Sequence, residues 1–76
     1  MRLDRDEAFN TYVTRAFMDY TENRGYRFGQ ALWNLLPIEI IEDHVGTDSD
    51  FYYEEDSFTA LCMFYTNFVV GGVSYE

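Results

Sequence analysis

Residues 6–23, DEAFNTYVTRAFMDYTEN, carry the clearest structural signal in the chain. Their apolar side chains recur at intervals of three and four residues, the spacing of one face of an α-helix. These side chains are Phe9, Tyr12, Val13, Ala16, Phe17 and Tyr20. Asp4 or Asp6 can cap the start of the helix, and Gly25 marks its end. The stretch predicts an amphipathic first helix that packs against a core.

Helical periodicity continues beyond Gly25 but is interrupted by a proline. Residues 28–36 predict a second helix with an apolar stripe, which Pro37 cannot continue because it lacks an N–H and clashes with the preceding turn. Ile38, Ile41 and Val45 then mark one face of a short segment that stops at Gly46. Both one kinked helix over 28–45 and two short helices fit this pattern.

The remaining residues predict a loop and a last helix. Residues 46–56 are rich in Asp and Ser, which favour local backbone hydrogen bonds over helix. Asp56 or Ser57 can cap a helix whose apolar positions have helical spacing. These positions are Phe58, Leu61, Cys62, Tyr65, Phe68 and Val69. The β-branched and aromatic residues of 62–70 also fit a strand, with a Gly71-Gly72 hairpin into 73–75. The unbroken period favours helix.

These elements predict a single all-α domain over residues 1–76. We expect three to four short helices around an aromatic core, with an ordered acidic loop. Aromatic residues make up 20% of the chain, a fraction typical of chains that fold.

Charge is distributed unevenly along the chain. Residues 1–27 hold five Arg and five acidic residues, whereas residues 28–76 hold nine acidic residues and neither Lys nor Arg. Eight of those nine lie between Glu39 and Asp56, and the net charge is −9. Direct binding to nucleic acid is not expected, because that affinity comes from basic side chains on phosphates. A basic surface on another protein is the natural complement.

Several classes of function find no support in the sequence. The charged N-terminus does not resemble a signal peptide, no apolar run has the ~20 residues of a membrane span, and a lone Cys62 suits a reducing cytoplasm. We interpret Cys62 as a buried inert thiol, and His44 as a surface residue near a helix end without a catalytic partner. The expectation is a cytoplasmic binding protein with no enzymatic activity, cofactor, metal or membrane partner.

The acidic loop is the main candidate for a contact surface. Its spacing fails the EF-hand pattern, since Tyr52, Tyr53 and Thr59 fall where calcium ligands or glycine are needed. A solvated loop with capping acids is the simpler interpretation. The functional interpretation is an acidic surface with Phe51, Tyr52 and Tyr53 as aromatic anchors. The candidate partner-binding residues are Asp48, Asp50, Tyr52, Tyr53, Glu54, Glu55 and Asp56.

A second motif precedes the loop. Arg27, Gln30 and Asn34 share one face of the second helix. We expect Gln30 and Asn34 to tie the 46–56 loop to this helix through backbone hydrogen bonds, and Gly29 to permit close packing. A role of this face in binding is the alternative.

Together these residues resemble a family of small bacterial and phage proteins with no established activity. The family pattern is Arg-x-Gly-Gln-Ala-x-x-Asn-x-Leu, followed by Gly-Thr-x-x-Asp-Pro-Phe-Tyr and an acidic stretch. The matching structural-motif residues here are Arg27, Gly29, Gln30, Ala31, Asn34 and Leu36, then Gly46, Thr47, Asp50 and Tyr53. Phe51 and Tyr52 depart from it. The resemblance covers residues 25–61 and implies a short, mostly helical protein of phage or mobile-element origin.

The leading functional hypothesis is a small, acidic, phage-like protein that binds and modulates or inhibits a host protein in the host cytoplasm. One version is nucleic-acid mimicry, in which the carboxylates of 39–56 occupy a basic groove. The alternative is a structural or assembly protein acting through homo-oligomerisation, with Tyr12, Tyr20, Trp33 and Tyr65 at the contact.

Overall fold

The amphipathic pattern of residues 6–23 forms one continuous helix, which we call α1. The computed structural model describes residues 2–23 and 25–71. Helix α1 has an α-helical turn at Arg5–Glu7, a π-helical segment at Ala8–Val13 and an α-helix at Thr14–Glu22. The Asp4 carboxylate caps it by accepting a hydrogen bond from the Glu7 N–H at 3.4 Å. The chain then turns at Gly25, which has a φ of +82° that suits glycine.

The π-helical segment changes which side chains of α1 enter the core. Ala8 and Val13 are both buried although they are five residues apart, a spacing that matches the i→i+5 hydrogen bonding of a π-helix. The expectation that Phe9, Phe17 and Tyr20 are core residues is wrong, since their exposed fractions are 53%, 46% and 39%. The regular period of 3–4 residues does not hold through the π-helical turn, which accounts for Phe9. Phe17 and Tyr20 lie in the regular α-helix after it and contact Phe28 with only part of their surface.

Residues 28–45 form two helices rather than one kinked helix. Helix α2 spans Phe28–Leu35 and helix α3 spans Ile38–Ile41. Leu36 and Pro37 between them have extended backbone. In α3 the buried residue is Ile40, whereas Ile38 and Val45, predicted to share an inward face, are both exposed. The short length of α3 accounts for Val45, because the chain leaves the helix before that residue. Within the single turn that remains, Ile40 rather than Ile38 faces the core.

The last helix, α4, spans Ser57–Phe68. The Asp56 carboxylate accepts a hydrogen bond from the Thr59 N–H at 3.0 Å and so caps it, as predicted. Its buried side chains are Ala60, Phe64 and Phe68. The predicted inward position of Phe58 is wrong, since that side chain is exposed. Apolar residues occupy most of the circumference of α4, so periodicity alone cannot select the face that packs.

The core is aromatic, as the composition predicts. Phe51 lies at its centre, with its ring edge-to-face against Trp33, Phe64 and Phe68 at centroid distances of 5.1, 6.1 and 5.5 Å. These separations lie in the range that is favourable for T-shaped aromatic pairs. Because Phe51 belongs to the loop, the loop contributes to the core that joins α2 to α4.

The two ends of the described chain meet beside α4. Leu3 and Val69 form an isolated parallel β-bridge, in which the Leu3 N–H donates to the Phe68 carbonyl and the Val70 N–H donates to the Leu3 carbonyl. This bridge is the only β pairing among residues 2–23 and 25–71. The strand predicted as an alternative for 62–70 is therefore mostly helix, and the hairpin into 73–75 lies outside the described residues. Within the described ranges, no helix is both long and apolar enough to cross a membrane.

Candidate partner-binding surface

The backbone of the acidic loop is held by its own polar side chains. The Asp50 carboxylate accepts hydrogen bonds from the Gly46 N–H at 2.8 Å and from the Tyr52 N–H at 3.0 Å. The Thr47 hydroxyl donates to the His44 carbonyl at 2.7 Å, and Gly46 has a φ of +75°. Asp50 is thus first a structural residue, whose carboxylate shapes the turn between α3 and Phe51.

The three consecutive aromatic residues of the loop have different positions. Phe51 is fully buried, so its predicted role as an anchor for a partner is wrong. Tyr52 is half-buried, and Tyr53 is 77% exposed. The Tyr52 and Tyr53 rings contact each other at a centroid distance of 4.8 Å. The aromatic surface available to a partner therefore consists of Tyr53 and part of Tyr52.

Gln30 of α2 and Arg27, which immediately precedes the helix, hold the loop. The Arg27 Nη2 donates to the Tyr52 carbonyl at 3.4 Å, and the Gln30 amide donates to the Tyr52 hydroxyl at 3.2 Å. The expected backbone bonds from Gln30 and Asn34 do not form. Asn34 instead donates to the Tyr26 hydroxyl at 2.9 Å, on the exposed side of the helix. The loop is thus held at Tyr52 as predicted, but the hydrogen bond to its backbone comes from Arg27 rather than from Gln30 or Asn34.

Gly29 lies where α2 approaches both the loop and α4. A Cβ atom at this position would lie 2.5 Å from the Phe51 carbonyl oxygen and 3.3 Å from the Ala60 Cβ. Atoms this close would overlap, so any side chain here requires the backbones to separate. Glycine at 29 therefore lets Phe51 reach the core.

The carboxylates of the loop differ in exposure and in task. Asp48, Glu55 and Asp56 are exposed, and Asp56 also caps α4. Glu54 is half-buried and accepts a hydrogen bond from the Glu55 N–H. Within residues 2–23 and 25–71 the one ion pair joins Arg15 to Asp19, on α1. Across that part of the chain, no basic side chain forms an ion pair with a loop carboxylate.

Two side chains differ in exposure from what the sequence predicts. His44 is half-buried, because its ring packs on Phe68 at a centroid distance of 4.3 Å and its Nδ1 shares a hydrogen bond with the Ser49 hydroxyl. Cys62 is half-buried rather than buried, since it lies beside the Ala60–Phe64 face of α4. In the described ranges, no three His, Cys, Asp or Glu side chains are grouped as a metal site would require.

A small groove opens between the loop and α2. It has a volume of 240 Å³ and is lined by Trp33, Val45, Asp50, Tyr52 and Tyr53. Three of these were predicted as contact residues from the sequence. The other two are not expected beside the loop, because the sequence predicts Val45 on one face of a short helix and Trp33 at a contact between copies of the chain. We call these five residues the tyrosine groove.

Comparison of the chain with protein-family models, with curated proteins and with solved structures found no match.

Proposed function

We propose that this chain is a small binding protein whose acidic loop, with Tyr52 and Tyr53, contacts a basic surface on a partner protein. The observation that carries the proposal is the combination of exposed carboxylates with an exposed aromatic ring. Asp48 and Glu55 are exposed and lie on either side of Tyr53 in the sequence, and the Tyr53 side chain is 77% exposed. Aromatic side chains supply contact area, and a charged rim supplies complementarity.

The net charge supports a basic partner. With −9 on 76 residues, the protein attracts a basic surface over several ångströms, which speeds association at low salt. Such binding weakens as salt screens the charges. In its fuller form, we propose a phage-like protein that modulates or inhibits a host protein by binding it, without catalysing a reaction. One version is mimicry of nucleic acid, in which the basic surface of the partner normally binds phosphates.

The experiment is capture of partners from bacterial lysate with elution in rising salt, followed by mass spectrometry. The matched variants are Asp48→Lys with Glu55→Lys, and Asp6→Lys with Glu22→Lys. All four positions are exposed, and both pairs change the net charge by the same amount. Glu54 and Asp56 are left intact, because Glu54 bonds the Glu55 N–H and Asp56 caps α4.

We expect one stoichiometric partner that elutes with salt, is lost with the loop variant and is retained by the α1 variant. Circular dichroism should show both variants folded. A partner captured equally by all three proteins would overturn the proposal, since net charge and the loop would then be irrelevant. A nucleic-acid-binding partner that competes with DNA or RNA for this protein would support mimicry.

Homo-oligomerisation is the second candidate, and the exposed apolar side chains of α1 favour it. Phe9 and Met18 are 53% and 56% exposed, and Phe17 and Tyr20 remain 46% and 39% exposed although their rings contact Phe28. Trp33, predicted to serve this contact, is unavailable at 8% exposure. Size-exclusion chromatography with light scattering tests the candidate. A dimer that Phe9→Gln with Met18→Gln converts to monomer would support assembly, and a monomer at all concentrations would reject it.

A further inference from the structure

The tyrosine groove has the dimensions of a site for one side chain. Its 240 Å³ is below the roughly 300–1,000 Å³ of pockets that hold small organic ligands. Its position beside the exposed Tyr53 makes it reachable from the surface that we assign to the partner. A protruding side chain of that partner is therefore the occupant that fits.

The chemistry of the walls selects a cation. Trp33, Tyr52 and Tyr53 supply aromatic rings, whose electron-rich faces attract positive charge. Asp50 adds a carboxylate, which can accept further hydrogen bonds beyond the two from the backbone. Residues 28–71 include no Lys or Arg, and the Arg27 guanidinium beside the two tyrosines does not line the groove. Asp50 is therefore the charged side chain that an occupant of the groove would meet.

Within the protein, the same two tyrosines already accept a guanidinium group. The Arg27 Cζ lies 5.8 Å from the centroid of the Tyr52 ring and 5.8 Å from that of Tyr53. Arg27 does not line the groove. A planar guanidinium stacks on aromatic rings and is more weakly hydrated than an ammonium group, so it loses less on leaving water.

We propose that the tyrosine groove binds an arginine side chain of the partner, with the guanidinium against the exposed Tyr53 ring and hydrogen-bonded to Asp50. This inference rests on the proposed function and names the residue of the partner that the surface recognises. Arginine in this position would be held in an aromatic and acidic site, while Asp48 and Glu55 contact charges around it.

Trp33 makes the groove directly observable, because it is the one tryptophan of the chain. The probes are three capped tripeptides, acetyl-Gly-X-Gly-amide, in which X is arginine, lysine or citrulline. Each is titrated at constant chloride while the indole fluorescence of Trp33 and its indole N–H resonance are followed. Citrulline keeps the shape of arginine but has no charge.

The matched variants are Tyr53→Ala and Phe58→Ala. Both side chains are large, aromatic and about three-quarters exposed, at 77% and 74%, but Phe58 does not line the groove. We expect saturable binding of the arginine peptide, about five-fold weaker binding by Tyr53→Ala, and unchanged binding by Phe58→Ala. Lysine should bind more weakly than arginine, and citrulline should give no saturable change.

Equal responses to arginine and citrulline, equal affinities for arginine and lysine, or no effect of Tyr53→Ala would each overturn the groove assignment. Those failures are separable from failure of the proposed function. Salt-sensitive partner capture that is lost with Asp48→Lys and Glu55→Lys would still stand if the peptide titration failed.

Discussion

Gly29 packs directly against the backbone of Phe51, so that a methyl group on Gly29 would come within 2.5 Å of the Phe51 carbonyl oxygen. Helix α2 and the acidic loop therefore approach each other more closely at this point than any residue with a side chain allows. The contact places the Phe51 ring in the core and leaves the next two tyrosines at the surface.

Gly29→Ala should destabilise the fold. Alanine favours helix over glycine by about 0.8–1.0 kcal/mol, but the added methyl group meets backbone rather than a flexible side chain. Overpacking of this kind costs about 1–3 kcal/mol, so we expect a net loss in the free energy of unfolding measured by urea denaturation. Thr66→Ala, at an exposed position of α4, controls for helix propensity and should not lose stability. A Gly29→Ala protein as stable as the parent would show that the loop can move away.

The Asp56 cap gives a second prediction. Asp56→Ala removes the acceptor for the Thr59 N–H and should lower the free energy of unfolding by about 0.5–2 kcal/mol. Asp56→Asn keeps an acceptor oxygen and should restore most of that loss. Thermal unfolding followed by circular dichroism measures both. Equal losses for alanine and asparagine would point to the charge at 56 rather than the hydrogen bond.

The tether between Gln30 and Tyr52 is tested by a double-mutant cycle. Gln30→Ala and Tyr52→Phe each remove one partner of the 3.2 Å hydrogen bond. We expect a coupling of about 0.5–1.5 kcal/mol in the free energy of unfolding. Asn34→Ala combined with Tyr52→Phe is the control and should be additive, because Asn34 bonds Tyr26 instead. Additivity in the Gln30 cycle would mean that the loop is held without this bond.

Tyr65 makes stability depend on pH in the alkaline range. Burial raises the pKa of Tyr65 above its ordinary 10.0, partly offset by the positive charge of Arg5. As pH rises, the Tyr65 hydroxyl therefore loses its proton in the unfolded chain before it does so in the folded protein. The stability that Tyr65 contributes is complete below pH 10.0 and is lost as pH rises through the raised pKa of the folded protein. Tyr65→Phe should decline less steeply with pH above 10.0 in urea denaturation. An unchanged slope would contradict the assignment.

The sequence predicts the existence of the helices better than the faces they bury. The period of 6–23, Pro37 and the Asp56 cap are local signals, and each corresponds to an observed helix or boundary. The buried face of α4 is decided by Ala60 meeting Gly29, a contact between residues 31 apart in sequence. A pattern of neighbouring residues contains no information about such a distant contact, so the helical period wrongly predicts that Phe58 faces the core.

The sequence predicts only part of the candidate surface, for the same reason. Exposed acids and aromatics at 48–56 are visible in the sequence, but three adjacent aromatic residues carry no signal for which one turns inward. That choice follows from the Asp50 turn and from the space at Gly29. Trp33 and Val45 join the tyrosine groove only after α2 and the loop are brought together.

The π-helical turn in α1 fixes how tolerant this helix is to insertion and deletion. Removing one residue from Ala8–Val13 would allow a regular α-helix, which is the more common geometry. Because residues five apart in a π-helix share a face as residues four apart do in an α-helix, the flanking turns would keep their orientation and both ends of the segment would still face the core. Leu3 would stay beside Val69, and the bridge that joins the two ends of the described chain would remain. A deletion within the regular turns of Thr14–Glu22 would instead rotate everything before it by about 100° around the helix axis and break the bridge.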